Sequence, residues 1–524
     1  MDDNTKGMTR RNFLKASMAI AAYAALPVST GCSTAGYKNI PDFKYQRDLV
    51  LNNARIVNVM DGSIIENGSI LIRDGIISEV REEPFESDSV LTVDCEGKYV
   101  IPGLVDAHCH STMSPVFSVD AGDLFKHIDQ QKKNLNQCIE HGVTTIRDVG
   151  ALPISLRGLI KDVESGAING PRIVYCNSII NIDGGHPDID PADVSLLAGP
   201  LSLFTGDIAA NFKNMKELER SLEENTENAS LIKLTVDNKS VFCKKGEIPA
   251  YTDEHYAKIM DFAEKKELPV SCHCHYKYGF DHATRYPINS LEHVVTDEFL
   301  TDEEVQMMVD RNVAIVPTMT IAASMMMEEA YEKIPPEFMD DFVEQELKIR
   351  RNYFDKDAVR HFDEELHRKN RKYLEKYRKV GKDKLVENHI YLVNPDIYFN
   401  MMRKGRANVD KMRQAGVLIG CGIDAGMPFA YFGGLYRELE LFFRMGFGSL
   451  EVLQTATINN AKILKMEDRL GSIDKGKYAD IVLLDNNPLK DVSCYRDPLL
   501  VIKEGKLVHS SNEVVKSGQV LRTI

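Results

Sequence analysis

Three observations along the 524 residues predict an α/β protein: a (β/α)8 TIM barrel with a small β-sandwich domain formed from both termini. The middle of the chain alternates apolar strand-like runs with helical patterns. Eight such strands separated by helices indicate a closed parallel barrel rather than an open sheet. Both flanks instead read as short strands and tight turns. Side chains able to hold divalent metals stand at the ends of five of the central runs, where barrels of this kind gather their active sites.

The first 36 residues stand outside this fold. Thr9-Arg10-Arg11-Asn12-Phe13-Leu14-Lys15 precedes an Ala-rich apolar stretch from Ala16 to Val28, the form of a twin-arginine export signal. That route carries proteins already folded, which suits an enzyme that takes up its metal in the cytoplasm. The expected location is therefore the periplasm or cell envelope. Gly31-Cys32 lies where a lipoprotein signal places its acylated cysteine, but Ser29 stands where Leu is usual. A form lipid-anchored through Cys32 and a free form are equal readings.

Residues 45–99 hold Leu49-Val50-Leu51, Ala54 to Val57 and Ser69 to Arg73, then Asp74-Gly75 before Ile76-Ile77, a strong hairpin signal. Residues 471–524 have the same character in Gly471 to Ile473, Ala479 to Leu484 and Leu499 to Ile502, so the two ends are expected to share one domain. Between them, 100–470 reads as the barrel, with strands over 100–108, 142–149, 171–180, 230–236, 269–275, 289–294, 313–320 and 417–424. Helical patterns cover Leu124 to Ile139 and Tyr256 to Ala263, and Thr301-Asp302-Glu303-Glu304 is a capping box that opens another. The interval 322–414 far exceeds what a βα connection requires. It reads as a charged, Met- and Tyr-rich helical insertion, either a surface or oligomer element or a substrate lid.

A composition of 43 % hydrophobic and 27 % charged residues is that of an ordinary globular protein. The formal charge of −14 argues against nucleic acid as a partner, since phosphate binding needs clustered Lys and Arg. No apolar run reaches the roughly 20 residues of a spanning helix, so no transmembrane span is expected. A homo-oligomer is expected, though nothing in the chain sets its order. Of ten cysteines, Cys109, Cys176, Cys272, Cys274 and Cys421 fall inside predicted strands, where they act as small buried hydrophobes; few or no disulfides follow.

Alternate side chains of a strand point the same way, so His108 and His110 face one side and Cys109 the other. The same alternation puts His273 and His275 inward, with Cys272 and Cys274 toward the helices, against a thiolate zinc knot. His293 and Asp424 end two further runs. Taken together, His108, His110, Lys233, His273, His293 and Asp424 form a set able to hold two divalent ions. Zn2+ suits these ligands, as do Mn2+, Fe2+ and Co2+. Lys233, in Leu231-Ile232-Lys233-Leu234, is the discriminating residue, because a buried ammonium is costly. A neutral amine beside bound metals can take up CO2, and the resulting carbamate has two oxygens with which to bridge two cations. A lysine paired with a carboxylate is the plainer reading.

With their connecting motifs these residues resemble the amidohydrolase superfamily. Ile101 to His110, Gly142 to Asp148, Ser290 to His293 and Gly422 to Gly426 look like its strand 1, 2, 6 and 8 signatures, and Gly471 to Asp480 like its C-terminal β-domain signature. The resemblance covers nearly everything from 47 to 510. It is closest to the prolidase-like and imidazolonepropionase-related branch through Gly170-Pro171-Arg172, Gly184-Gly185-His186 and His273-Cys274-His275. It implies His108, His110 and Asp424 on the more buried metal, His273 and His293 on the second, carbamylated Lys233 between them, and His186 touching substrate. Where the family often has tyrosine two residues after the strand 5 ligand, this chain has His275 and then Tyr276. These two are the candidates for orienting the substrate.

The expected function is metal-dependent amide hydrolysis of a small molecule, a dipeptide or an N-acyl amino acid. A hydroxide bridging the two ions would attack, and Asp424 would serve as general acid–base. Cyclic amides, imides and lactones remain alternatives. Deaminases of the superfamily usually use one metal, lack the strand 4 lysine and carry Glu three residues after the strand 5 histidine, where this chain has Tyr276. A non-catalytic barrel would be expected to have lost ligands, and none is missing.

Overall fold

The computed structural model describes residues 48–86, 90–115, 124–187, 207–241, 246–326, 336–358, 362–380 and 395–511. The expected leader, Cys32 included, lies outside them, as do parts of the insertion. Strands are numbered along the chain. β1 (Leu49–Val57) pairs antiparallel with β2 (Ile64–Arg73), and β2 with β3 (Ile76–Arg81). Asp74 and Gly75 both take positive φ (49° and 79°), as a two-residue hairpin turn requires. β1 also pairs in parallel with β4 (Leu91–Asp94) along its first half and with β5 (Tyr99–Pro102) along its second. The sheet branches there.

The single strand expected over 100–108 serves two sheets. It breaks at Gly103, where a side chain would stand 2.2 Å from Thr144 Oγ1, and β6 (Leu104–Cys109) continues into the barrel. β7 (Val143–Asp148) and β8 (Arg172–Tyr175) follow in parallel. The run expected over 171–180 is likewise divided, by Asn177 at φ 59°, into β8 and β9 (Ile179–Ile182). β10 (Ala209–Phe212), β11 (Ile232–Thr235), β12 (Val270–His273), β13 (Ser290–Glu292) and β14 (Ala314–Val316) complete a second parallel run, ordered β10-β9-β11-β12-β13-β14.

Backbone hydrogen bonds join the two runs on both sides. Ser230 N donates to Tyr175 O (2.8 Å). Opposite, residues 417–425 bridge β14 and β6: Gly420 N donates to Ile315 O (2.8 Å), and Ala107 N to Cys421 O (2.9 Å). The chain then returns to the first sheet, where β15 (Ile481–Leu484) pairs with β5, β16 (Leu500–Lys503) with β15 and β17 (Lys506–Ser510) with β16. Leu49, Ile70, Val100, Ile481 and Ile502 share one core, so residues from both ends of the chain bury each other. Each such side chain is worth about 1.5–3 kcal/mol.

Helices Leu124–Glu140, Asp253–Lys266 and Asp302–Asp310 lie where the periodicity expects them. The Thr301 hydroxyl accepts from Glu304 N while the Glu304 carboxylate accepts from Thr301 N, closing the expected box. The strand expected over 313–320 stops at Val316, because Thr318 takes a left-handed turn (φ 50°) into the buried helix Met319–Met325. Further helices of the insertion span Asp341–Asn352, Glu364–Val380, Pro395–Asn400 and Arg406–Ala415, with π-helical turns at Tyr353–Asp357 and Met401–Gly405. The insertion is tied to the barrel. Asn370 Nδ2 donates to Pro115 O (2.8 Å) and to the Tyr431 hydroxyl (2.9 Å). Met325, Met326, Met401 and Met402 are all buried. The eight described cysteines are free, seven of them buried. No described helix is long and apolar enough to cross a membrane.

Candidate metal centre

His108, on β6, and His110, just beyond it, point to one side as strand alternation requires, while Cys109 is buried on the other. His110 Nδ1 lies 2.7 Å from the carbonyl of Gly150, which can only accept, so that nitrogen carries the proton. His108 Nδ1 lies 2.7 Å from Glu292 Oε2 and donates to that carboxylate. Both Nε2 lone pairs therefore face outward, 3.3 and 3.2 Å from Asp424 Oδ1. Three acceptor atoms converge with no proton donor between them, and Asp424 Oδ1 has no hydrogen-bond partner. Such an arrangement fits a cation at its centre.

A second group joins it. His273, His275 and His293 place their donor atoms within 4.8 Å of one another. His293 and His275 stack with centroids 4.5 Å apart, and His293 stands 4.8 Å from His108. Glu292 points inward from β13, so simple alternation would turn His293 outward. A left-handed backbone at His293 (φ 67°) brings it back, and Asp424 (φ 55°) is aimed in the same way. His293 Nδ1 is 2.7 Å from Thr318 Oγ1, whereas His273 Nε2 and His275 Nδ1 are buried without a partner. Burial first, then the neighbouring imidazoles, hold His273 and His293 well below the usual histidine range. Burial pushes His275 down to about 4. These rings are neutral, as metal ligands must be.

Lys233, on β11, is close enough to His273, His275, His293 and Glu292 to act on each of them electrostatically. It is only 2 % exposed, and its Nζ has no hydrogen-bond partner. Burial lowers its pKa, and Glu292 only partly opposes that. No described carboxylate hydrogen-bonds to Lys233; Glu292 acts on it only from farther away.

The sequence does not mark out the residues that hold these ligands. Glu292 is fully buried and accepts from Arg147 Nη2 (2.6 Å), Ser271 Oγ (2.7 Å) and Ser290 Oγ (2.8 Å) as well as His108. Burial alone would raise its pKa, but Arg147, Lys233 and His108 hold it well below the carboxylate range. Asp237 accepts the backbone N–H groups of His275 (2.8 Å) and Tyr276 (3.2 Å), and burial pushes it up to about 8. Glu292 and Arg147 both sit inside strand motifs, but 145 positions apart, and only the closed barrel makes them a pair.

The remaining expected residues also lie here. The His186 ring stands 4.9 Å from that of His273, and Tyr276 is nearly buried, with Lys239 Nζ 5.4 Å from its ring. His275, expected on the substrate side, stands within ligand reach of His273 and His293.

Residues 99–508 match the Amidohydrolase family, and residues 7–27 match the twin-arginine translocation pathway signal sequence, which supports export by that route. An adenine deaminase from Desulfatibacillum aliphaticivorans is 42 % identical over 69 residues, 13 % of this chain and only 11 % of that protein. An Xaa-Pro dipeptidase with bound methionine superposes with a TM-score of 0.66 at 22 % identity, covering 88 % of this chain and 100 % of that one. A prolidase complexed with N-methylphosphonate-L-proline superposes with a TM-score of 0.65, also at 22 % identity and with the same coverage. Both likenesses establish the fold. With the family match running from β5 of the flanking sheet through the whole barrel and back to β17, this chain belongs to the amidohydrolase family.

Proposed function

We propose that the protein hydrolyses the amide or peptide-type bond of a small molecule, a dipeptide or an N-acyl amino acid, with two divalent ions, zinc by preference. The observation that carries this reading is the meeting of two groups of potential ligand atoms near a buried Lys233 whose Nζ has no hydrogen-bond partner. His108, His110 and Asp424 would hold one ion, and His273 and His293 the other. Burial depresses the basicity of the Lys233 amine, which favours its neutral, nucleophilic form. Its nitrogen would add to the carbon of CO2 as one C=O π pair moves onto oxygen and an N–H proton passes to water, giving a carbamate that supplies two anionic oxygen ligands for the ions. When bound, such ions lower the pKa of a shared water and polarise an acyl oxygen.

The chain's own groups do the rest. Asp424 is the one carboxylate in the two groups, and its Oδ1 is free of any hydrogen-bond partner. It takes the proton of the attacking water and hands it to the leaving nitrogen. His186, His275 and Tyr276, close to the second group, would be the residues to contact the substrate. The twin-arginine route would deliver the folded protein to the cell envelope, where Cys32 is the residue a lipid anchor would use. Deamination is the second reading, favoured by the short adenine deaminase match; the second histidine group and Lys233 weigh against it.

A screen of dipeptides and N-acyl amino acids on zinc-loaded protein tests the reaction. Turnover of one of these is expected; a blank across the panel moves the assignment to cyclic amides and lactones, and ammonia release from adenine moves it to deamination. Zinc uptake by stripped protein should be faster with bicarbonate than without. Equal rates would count against the carbamate.

A further inference from the structure

Tyr398 belongs to the insertion, yet it stands at the metal centre. It lies on the helix Pro395–Asn400, is 5 % exposed, and sets its ring edge-on to His275 with centroids 6.2 Å apart. The position is held from two sides. Neighbouring Phe399 stacks on Phe338 (5.3 Å). The π-helical turn Met401–Gly405 follows, in which Gly405 packs so closely on Val294, the residue after His293, that a side chain there would meet Val294 Cγ1 at 2.7 Å. Lys404 Nζ donates to Asp297 O, and Asn408 Nδ2 to Val295 O (2.9 Å). The insertion is thereby docked on the loop that leaves the His293 strand.

The phenol has no structural work to do. Its hydroxyl makes no hydrogen bond with any described residue. The hydroxyl is not sealed in the core as those of Tyr256 and Tyr495 are, so it keeps access to open space, and phenylalanine would preserve the packing of the ring. A phenol is protonated at neutral pH, so the hydroxyl is available as a donor.

We propose that Tyr398 touches the substrate: its hydroxyl donates a hydrogen bond to the acyl oxygen as negative charge develops there, so that the insertion supplies part of the oxyanion site. This rests on the acyl-transfer reading above. No bond is made or broken by Tyr398; its proton stays on the phenol. Because the interaction strengthens only as the oxygen becomes anionic, it appears in kcat rather than in KM.

The test compares wild type and Tyr398→Phe on the best substrate from the screen. Zinc content and melting temperature are measured alongside, together with affinity for the N-methylphosphonate of that substrate's amine half. Tyr398→Phe should lower kcat about 10²-fold, change KM by less than about threefold, and weaken the phosphonate by the factor lost in kcat/KM, with zinc content unchanged. A variant with wild-type kcat, or one whose loss lies in KM alone, overturns the assignment while leaving the reaction intact. A wild type that neither hydrolyses the panel nor binds a phosphonate overturns the reaction itself, and this role with it. If Tyr398→Phe does not fold, Tyr398→Met carries the same comparison.

Discussion

The two groups of candidate ligands differ in what stands behind them. In the group of His108, His110 and Asp424, both rings are fixed through Nδ1, and a carboxylate supplies charge. In the group of His273, His275 and His293, only His293 has a side-chain brace, Thr318, and all three donors are neutral. The nearest carboxylate, Asp237, is 3.9 Å from His273 Nε2 and already accepts two backbone N–H groups. A charged, pre-oriented set binds a cation more tightly than an uncharged, loosely held one. The first group is therefore expected to keep its ion, and the second to exchange it. The second is also the group that His186 and Tyr398 adjoin. One half of the centre is built for retention and the other for access.

Removing charge from the tighter half should do most damage. Asp424→Asn is expected to lower kcat by about 10³-fold or more with little change in circular dichroism, because it removes a ligand and the general base together. Near-full turnover by this variant would leave the two halves without a functional difference. Next comes Glu292→Gln, which frees His108 and strands the buried Arg147. Zinc affinity of the first half should fall about 10–100-fold, and stability by about 3–5 kcal/mol in denaturant unfolding. Equal loss of both ions would contradict the comparison.

Thr318→Val removes the side-chain brace of the second half. It should speed loss of a single ion to a chelator about tenfold and leave the other untouched, as metal analysis along the time course would show. The smallest effect separates the insertion from both halves. His367, against Tyr431 and accepting from Arg371 Nε (3.0 Å), is held at about 4 by burial and then by Arg371. The unfolded chain takes up a proton below roughly pH 6.5, while the folded one does not until about 4, so this contribution to stability is lost as pH falls through that window. The slope is at most about 1.4 kcal/mol per pH unit. His367→Gln should flatten it without altering zinc content, and an unchanged melting profile between these pH values would refute this.

How much of this is legible in the chain depends on distance along it. The inward direction of His108, His110, His273 and His275 follows from strand alternation, a rule that spans two residues. Alternation fails for His293, because the residue that points inward from its strand is Glu292. The correction is a left-handed backbone set by tertiary packing. The run from 100 to 108 reads as one strand because Gly103 interrupts neither its hydrophobicity nor its length. What divides it is Thr144, brought alongside from another strand.

The helical periodicity of the insertion is plain, but whether it forms a surface element or part of the site is not. The docking of Gly405 on Val294 and of Asn370 on Pro115 decides that.

By itself, the order of residues determined the barrel, the shared terminal sheet and the chemistry of the ligand types, since hydrophobic periodicity and side-chain donor atoms are local properties. Only the folded structure decided which carboxylate steadies which imidazole, which lysine is left without a partner and which tyrosine of the insertion reaches the centre. Those outcomes depend on contacts between residues far apart in the chain, and burial makes each of them energetically decisive.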